Sequence, residues 1–210
     1  MPYSCAKPLF SLEGQRNPRE RSMDSVLANT LKPIADELAT VSQAQAQASP
    51  RPTMDDWCGQ EVVEHLILTF RQSTEELEGR LKSKTPPNNG STLYQIPLKI
   101  QLLWFGSMTA GTIAPPSLVP GKLVPQDGPE LSARLLAEAE QLSKTLAQSE
   151  AVFGKRPCGD HPIYGPLSAA GWRKYHELHC RQHATQLKAA INFARAHRAK
   201  VPEAVSKSNR

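Results

Sequence analysis

Histidines are the residues of this 210-residue chain with the clearest potential for chemistry. Six are present, at positions 65, 161, 176, 179, 183 and 197. On a helix that turns by about 100° per residue, His176, His179 and His183 fall within about 60° of one another. The opposite face of that helix is charged, so these three imidazoles occupy the side that a core-facing helix normally gives to leucine. His65 lies at the matching position of an earlier apolar helix face.

A cluster of buried imidazoles predicts a metal site. Coordination offsets the cost of burying an imidazole, because the neutral ring donates a nitrogen lone pair to the ion. His179 and His183 form an HxxxH pair with Cβ atoms roughly 5–6 Å apart on one helix, and His65 is the candidate third ligand from another helix. Three histidines leave an open coordination position, as catalytic zinc sites do. His176 would then act as a proton shuttle or face the substrate.

Other interpretations of the same residues stay open. The histidines could be protonatable core residues, which predicts stability that rises with pH and does not respond to a chelator. The interior of the HxxxH pair lacks the glutamate of HExxH, so a metalloprotease is not supported. Cys180, at the edge of the histidine face, is either a reactive thiol or inert packing, and packing is favoured. His161 and Tyr164 either close over the site or belong to a rigid connector.

The elements that must position these residues are predicted to be helices. The 18 prolines cluster at 2–18, 50–52, 86–87, 115–129, 157–166 and 202, and the segments between them have helical composition. We predict an all-α fold without strands, with helices at about 24–48, 55–82, 93–111, 129–153 and 169–198. Expected N-caps are Ser22 for the first helix, one of Thr53, Asp55 and Asp56 for the second, Asp127 for the fourth and Ser168 for the fifth. The loop at 113–128 is long enough to form a wall or lid.

Several positions in these helices carry specific expectations. Pro33 is expected to kink the first helix or to start its second half, and Pro97 fits in the first turn of the third. The third helix is apolar on most sides and is expected to be buried. The aromatic residues Trp57, Tyr94, Trp104 and Trp172 are expected in the core or in a pocket wall. A line of leucines on the fourth helix could serve either the core or a homodimer: Leu131, Leu135, Leu142 and Leu146.

The composition excludes some classes of function. The net charge of +5 invites a nucleic-acid partner, but the excess lies at the two ends, and residues 23–197 hold equal numbers of acids and bases. The most apolar stretch, 93–113, is broken by Pro97, Lys99 and Gln101, so no membrane span is expected. Without an apolar secretory segment or a CxxC pair, the chain is expected to be cytoplasmic, with reduced thiols. We expect one helical domain at 23–198 between disordered tails at 1–22 and 199–210.

Two segments resemble the DinB-like superfamily of metal-binding four-helix bundles: WCGQEVVEHLILTF at 57–70 and HPIYGPLSAAGWRKYHELHCRQHATQL at 161–187. The likeness is to a subgroup with an HP..GPLS...W stretch followed by histidines four, seven and eleven residues after the tryptophan. The resemblance implies a four-helix bundle with an additional helix and long proline-rich loops. It places the metal on His65, His179 and His183. A further histidine of the subgroup is replaced here by Gln182.

The same resemblance implies a bacterial origin and a divalent ion such as Zn²⁺ or Ni²⁺. Some members of the superfamily are S-transferases that use a low-molecular-weight thiol as cosubstrate. We therefore expect an enzyme that activates a thiol or water nucleophile toward a small-molecule substrate. The alternative is a non-catalytic bundle that binds a metal or small ligand in sensing or stress protection. No nucleic-acid or membrane partner is expected.

Overall fold

Helices account for most of the residues that the computed structural model describes, which are 23–49, 57–87, 90–108 and 114–198. The elements in chain order are α1 (Ser25–Leu38), α2 (Gln43–Ala46), α3 (Gly59–Ser83), α4 (Gln95–Trp104), a 3₁₀ turn (Pro116–Leu118), α5 (Gly128–Phe153), β1 (Gly159–His161), β2 (Gly165–Leu167) and α6 (Ala169–Arg198). The predicted predominance of helix is confirmed. No described helix is long and apolar enough to cross a membrane.

The best-predicted helices are those with strong local end signals. The carboxylate of Asp127 accepts a hydrogen bond from the Glu130 amide at 2.9 Å, and α5 ends at Gly154, which has a positive φ of 62°. The hydroxyl of Ser168 accepts a hydrogen bond from the Gly171 amide at 3.3 Å at the start of α6. Pro97 lies in the first turn of α4, as predicted. Both ends of α6 coincide with the predicted 169–198.

The prediction of one helix over 24–48 is wrong. Helix α1 continues through Pro33 and ends at Leu38, and a separate short helix, α2, begins at Gln43. The break has a local cause, because Ser42 and Gln45 form a capping box in which each side chain bonds the other residue's backbone. Asp24 caps α1. The expected cap Ser22, like Thr53, Asp55 and Asp56, lies outside the described residues, and the N-cap of α3 is Cys58.

A small β-hairpin corrects the prediction of a fold without strands. Strands β1 and β2 pair antiparallel in the register Gly159 with Leu167 and His161 with Gly165. The Nδ1 atom of His161 accepts the backbone amides of Ile163 at 3.1 Å and Tyr164 at 3.3 Å, which stabilises the connecting turn. Strands of three residues are too short to show the alternation by which a sequence predicts a strand.

The expectation that the third helix is buried is also wrong. Helix α4 is shorter than predicted, and Leu102 is its one buried residue. Tyr94 is 73% exposed and Trp104 is 84% exposed, so neither lies in the core or in a pocket wall. Of the other two aromatic residues in that prediction, Trp172 is buried and Trp57 is partly buried.

The core lies between the four long helices α1, α3, α5 and α6, which pack against one another. The leucine line of α5 points into this core, because all four leucines (Leu131, Leu135, Leu142 and Leu146) are fully buried. A close approach between chain segments requires glycine at the start of α5: a Cβ atom on Gly128 would lie 2.0 Å from the carbonyl oxygen of Leu38. The predicted tails at 1–22 and 199–210 lie outside the described residues.

Candidate metal centre

Helices α3 and α6 bring the three predicted ligands together. His65 lies on α3, and His179 and His183 lie one turn apart on α6. All three are buried, with 4 to 8% of each residue exposed. Each of the two helices packs an apolar face into the same core. The histidines lie among the leucine and isoleucine residues of these two faces. The imidazoles therefore lie where the two faces meet.

The Nε2 atoms of the three rings converge. The Nε2 atom of His179 lies 3.3 Å from that of His65 and 3.0 Å from that of His183. The candidate ligand atoms of the three residues all lie within 4.8 Å of one another. Two nitrogens bound to one Zn²⁺ at 2.0–2.1 Å in tetrahedral geometry stand roughly 3.3 Å apart. The three buried histidines thus lie close enough to bind one metal ion.

The loop predicted as a wall fixes the tautomer of His65. The Nδ1 atom of His65 lies 2.8 Å from the carbonyl oxygen of Leu118, at the end of the 3₁₀ turn. A carbonyl can only accept, so Nδ1 carries the proton and Nε2 presents its lone pair toward the other two rings. Buried metal-binding histidines are typically oriented in this way by an acceptor on the second ring nitrogen.

Buried Gln60, five residues before His65 on α3, holds the same loop in place. Its amide nitrogen donates to the carbonyl of Val124 at 2.8 Å, and its amide oxygen accepts the backbone amide of Gln126 at 3.0 Å. Two side chains of α3 therefore bond the loop backbone at three points. The loop is a wall attached to the helix that supplies one ligand.

Burial keeps the clustered imidazoles neutral. It lowers the pKa of His65, an effect partly opposed by the hydrogen bond to Leu118. Burial and then the neighbouring His183 and His65 hold the pKa of His179 well below its ordinary value. The pKa of His183 falls to about 4, again through burial first and through His65 second. At neutral pH all three rings are in the form that binds metal.

Two aromatic rings flank the cluster. The Trp57 ring lies 4.9 Å from that of His65 and is stacked at 6.4 Å on that of His183, measured between centroids. On the other side Tyr175 stacks on His179 at 5.3 Å with an angle of 16° between the planes. Trp57 is partly exposed and Tyr175 is buried, so Trp57 borders the side of the cluster nearer to solvent.

His176 is fully buried one turn before His179 and lies among aromatic rings. Its ring packs edge-on against Phe70 at 5.3 Å and stacks on Trp172 at 6.0 Å. Neither of its ring nitrogens has a hydrogen-bond partner within the described part of the chain. Burial lowers its pKa to about 3, with a further contribution from His161. A role as proton shuttle remains a prediction.

Two glutamates of α3 that are close to His65 in the sequence have other partners. The Glu61 carboxylate accepts the amide of Cys58 at the start of α3, and Glu64 pairs with Arg134 on α5. The acceptor for His65 is instead a backbone carbonyl, and no residue type in the sequence marks such an acceptor. The length of the 113–128 loop was the one feature of the sequence that pointed to it.

Burial raises the pKa of Cys180 to about 12, which favours the packing interpretation. His161 is the last residue of β1, and its ring accepts amides of the hairpin turn.

Comparison with protein-family models, with curated proteins and with solved structures finds no match to this chain. The function is therefore argued from the geometry of the three-histidine cluster and from the residues around it.

Proposed function

We propose that this chain is a DinB-like metal protein in which His65, His179 and His183 hold one divalent cation, Zn²⁺ or Ni²⁺, for catalysis. The observation that carries the proposal is the convergence of three buried Nε2 atoms at 3.0 and 3.3 Å. Hydrogen bonding alone satisfies this cluster poorly. The Nε2 atom of His65 has no proton to give, so for every placement of protons on His179 and His183 only one of the two short Nε2–Nε2 contacts can be a full hydrogen bond. A cation accepts all three lone pairs.

The surroundings of the cluster would leave the positive charge of a bound cation largely uncompensated. The three ligands are neutral, and Glu64, the one acidic residue that is buried in the described part of the chain, is paired with Arg134. A divalent ion in such a site supplies Lewis acidity, which lowers the pKa of a coordinated thiol or water. A thiol nucleophile would give an S-transferase that uses a low-molecular-weight thiol, and water would give a hydrolase.

The residues around the site orient the three histidine rings and exclude water from them. The Leu118 carbonyl holds the His65 ring, and Tyr175 and Trp57 hold the planes of the other rings. Three protein ligands leave a position for a small-molecule substrate or thiol. A ligand that reaches this position from the solvent side would pass the indole of Trp57. This arrangement presents a flat apolar surface beside the charged centre.

A non-catalytic centre for metal or small-ligand binding is the second candidate. It is favoured by the depth of the site, because none of the three histidines is more than 8% exposed. Sensing and storage require only that the cation binds, whereas catalysis requires that a substrate also reaches it. Access to the cation therefore distinguishes the two candidates.

Metal analysis of protein purified without chelator tests the shared premise. We expect about one equivalent of a divalent ion per chain, and loss of that ion in each of the variants His65→Ala, His179→Ala and His183→Ala. The matched control is His197→Ala, an exposed histidine on the same helix α6, which should keep its metal. Metal-free wild-type protein that takes up no ion on reconstitution, or full loading of His179→Ala, would contradict the proposal.

Cobalt substitution tests access to the ion. Because Co²⁺ absorbs visible light according to its ligands, a thiol that enters the open position should change the spectrum. A spectrum that shifts with millimolar thiol supports an enzyme. A spectrum unaffected by thiols, azide and thiocyanate, in protein fully loaded with cobalt, would favour the non-catalytic centre.

A further inference from the structure

Helix α4 exposes an apolar stripe to solvent. At about 100° per residue, Ile96, Ile100, Leu103 and Trp104 fall within about 100° of one another. Each is exposed: Ile96 to 42%, Ile100 to 45%, Leu103 to 39% and Trp104 to 84%. The buried Leu102 lies on the other side of the helix. This is the reverse of an ordinary surface helix, whose apolar stripe faces the core.

Polar side chains hold α4 against the protein. The Gln95 amide donates to the carbonyl of Pro162 at 3.2 Å, and the Lys99 ammonium donates to the carbonyl of Pro166 and to the hydroxyl of Ser91. The helix is thus attached to the β-hairpin by its polar face. Its orientation leaves the apolar stripe pointing away from the hairpin, so the exposure follows from specific contacts.

The exposed apolar surface is larger than a monomer usually carries. Leu93 lies on the same side of the helix, and Tyr94 and Phe105, at its two ends, lie about 80–100° beyond the edge of the stripe. These three residues are 90%, 73% and 77% exposed. An aromatic side chain covers about 150–250 Å², so the exposed parts of Tyr94, Trp104 and Phe105 alone amount to roughly 350–600 Å², and the four aliphatic side chains add to this area. The largest apolar patch on a typical monomer is about 300–600 Å². A stable interface buries about 800 Å² on each partner.

We propose that the exposed apolar surface of α4, which is the stripe together with Leu93, Tyr94 and Phe105, is the interface with a second copy of this chain. Its charge fits a self-complementary contact. Lys99 is the one charged residue in 93–105, and its ammonium is engaged by Pro166 and Ser91. Lys174, whose side chain lies beside Gly106, is paired with Glu177. An anionic membrane surface or an acidic partner would require unpaired basic residues around the stripe. In a two-fold arrangement each α4 covers the other, and no like charges meet.

Sedimentation velocity of the full chain over a range of concentrations tests the interface. We expect a dimer for the wild type at micromolar concentration. The variants Trp104→Glu and Ile100→Glu should raise the dimer dissociation constant by at least about 10-fold, because the charge is buried against an apolar partner. The matched control is Val152→Glu, since Val152 is 46% exposed on α5, away from α4 and the loop wall, and should leave the dimer intact. Circular dichroism and metal content establish that each variant is folded.

Several outcomes would overturn the proposal. One is a wild-type protein that remains a monomer at 100 micromolar. This result contradicts the proposal both when acrylamide reaches Trp104 and when another segment of the same chain shields Trp104. Another is a monomer that sediments with phosphatidylcholine vesicles through the stripe. If Trp104→Glu and Ile100→Glu form a dimer as tight as that of the Val152→Glu control, the interface lies elsewhere.

Discussion

The Nδ1 atom of His65 and the carbonyl oxygen of Leu118 lie 2.8 Å apart, although 53 positions separate these residues in the chain. This hydrogen bond joins a candidate metal ligand on α3 to the wall at 114–127. It places the proton of His65 on the nitrogen that faces away from the other imidazoles. The position of the loop and the ability of His65 to bind metal are therefore coupled.

Loosening the loop should weaken metal binding. Gln60→Ala removes the bonds to the Val124 carbonyl and the Gln126 amide, so the peptide of Leu118 is held less firmly. We expect the affinity for Zn²⁺, measured by competition with a chromogenic chelator, to fall about 10-fold, as for other groups that orient metal ligands. Gln141→Ala, an exposed glutamine on α5, is the control. An unchanged affinity in folded Gln60→Ala would show that the rest of the loop suffices.

Trp57 should report on occupancy of the centre. Its ring lies 4.9 Å from that of His65, close enough for an open-shell ion such as Ni²⁺ or Co²⁺ to quench its fluorescence. We expect quenching at one equivalent of metal, largely abolished in Trp57→Phe and retained in Trp104→Phe. Trp104 is exposed on α4 and serves as the control. Equal quenching in both variants would mean that the ion binds elsewhere.

Acid should destabilise the metal-free protein through His161. Burial lowers its native pKa to about 3, against an ordinary value of 6.5, so the unfolded chain takes up a proton before the native state does. This contribution to stability is complete above pH 6.5 and is lost as the pH falls toward 3. At pH 5 the loss is about 2 kcal/mol for this one group.

The measurement is urea unfolding in excess chelator at pH 7.5 and at pH 5. His161→Asn keeps an acceptor for the turn amides but has no titration in this range, so the variant should lose about 2 kcal/mol less than the wild type between the two pH values. An identical pH dependence for the two proteins would show that His161 is protonated in the native state as readily as in the unfolded chain.

Two glycines should respond in opposite directions to substitution by alanine. Gly128→Ala places a Cβ atom 2.0 Å from the Leu38 carbonyl oxygen, and backbone atoms cannot move aside cheaply, so we expect a loss of at least about 3 kcal/mol. Gly79→Ala, at an exposed position inside α3 with nothing within 4 Å, should stabilise by about 0.5–1 kcal/mol. Thermal unfolding of the two variants measures both. A stable Gly128→Ala protein would contradict the packing of α5 on α1.

Local signals explain which elements were predictable. The ends of α5 and α6 are marked by Asp127, Gly154 and Ser168, whose effects act within a few residues of each helix end. The break between α1 and α2 carried a signal of the same kind, the capping box of Ser42 and Gln45, which the continuous helical composition of 24–48 obscured. The position of α4 had no local signal, because an apolar helix packs equally well against its own core or a partner.

The sequence by itself determined that the chain is mostly helical and that His176, His179 and His183 share one face of its last helix, because helical periodicity is a property of neighbouring residues. Only the tertiary structure decided that His65 lies 3.3 Å from His179 and close to His183, while His176 lies apart among Phe70 and Trp172. It also decided that a backbone carbonyl orients His65 and that α4 faces solvent. These outcomes depend on how separate elements pack, and packing is a sum of contacts between residues far apart in the chain.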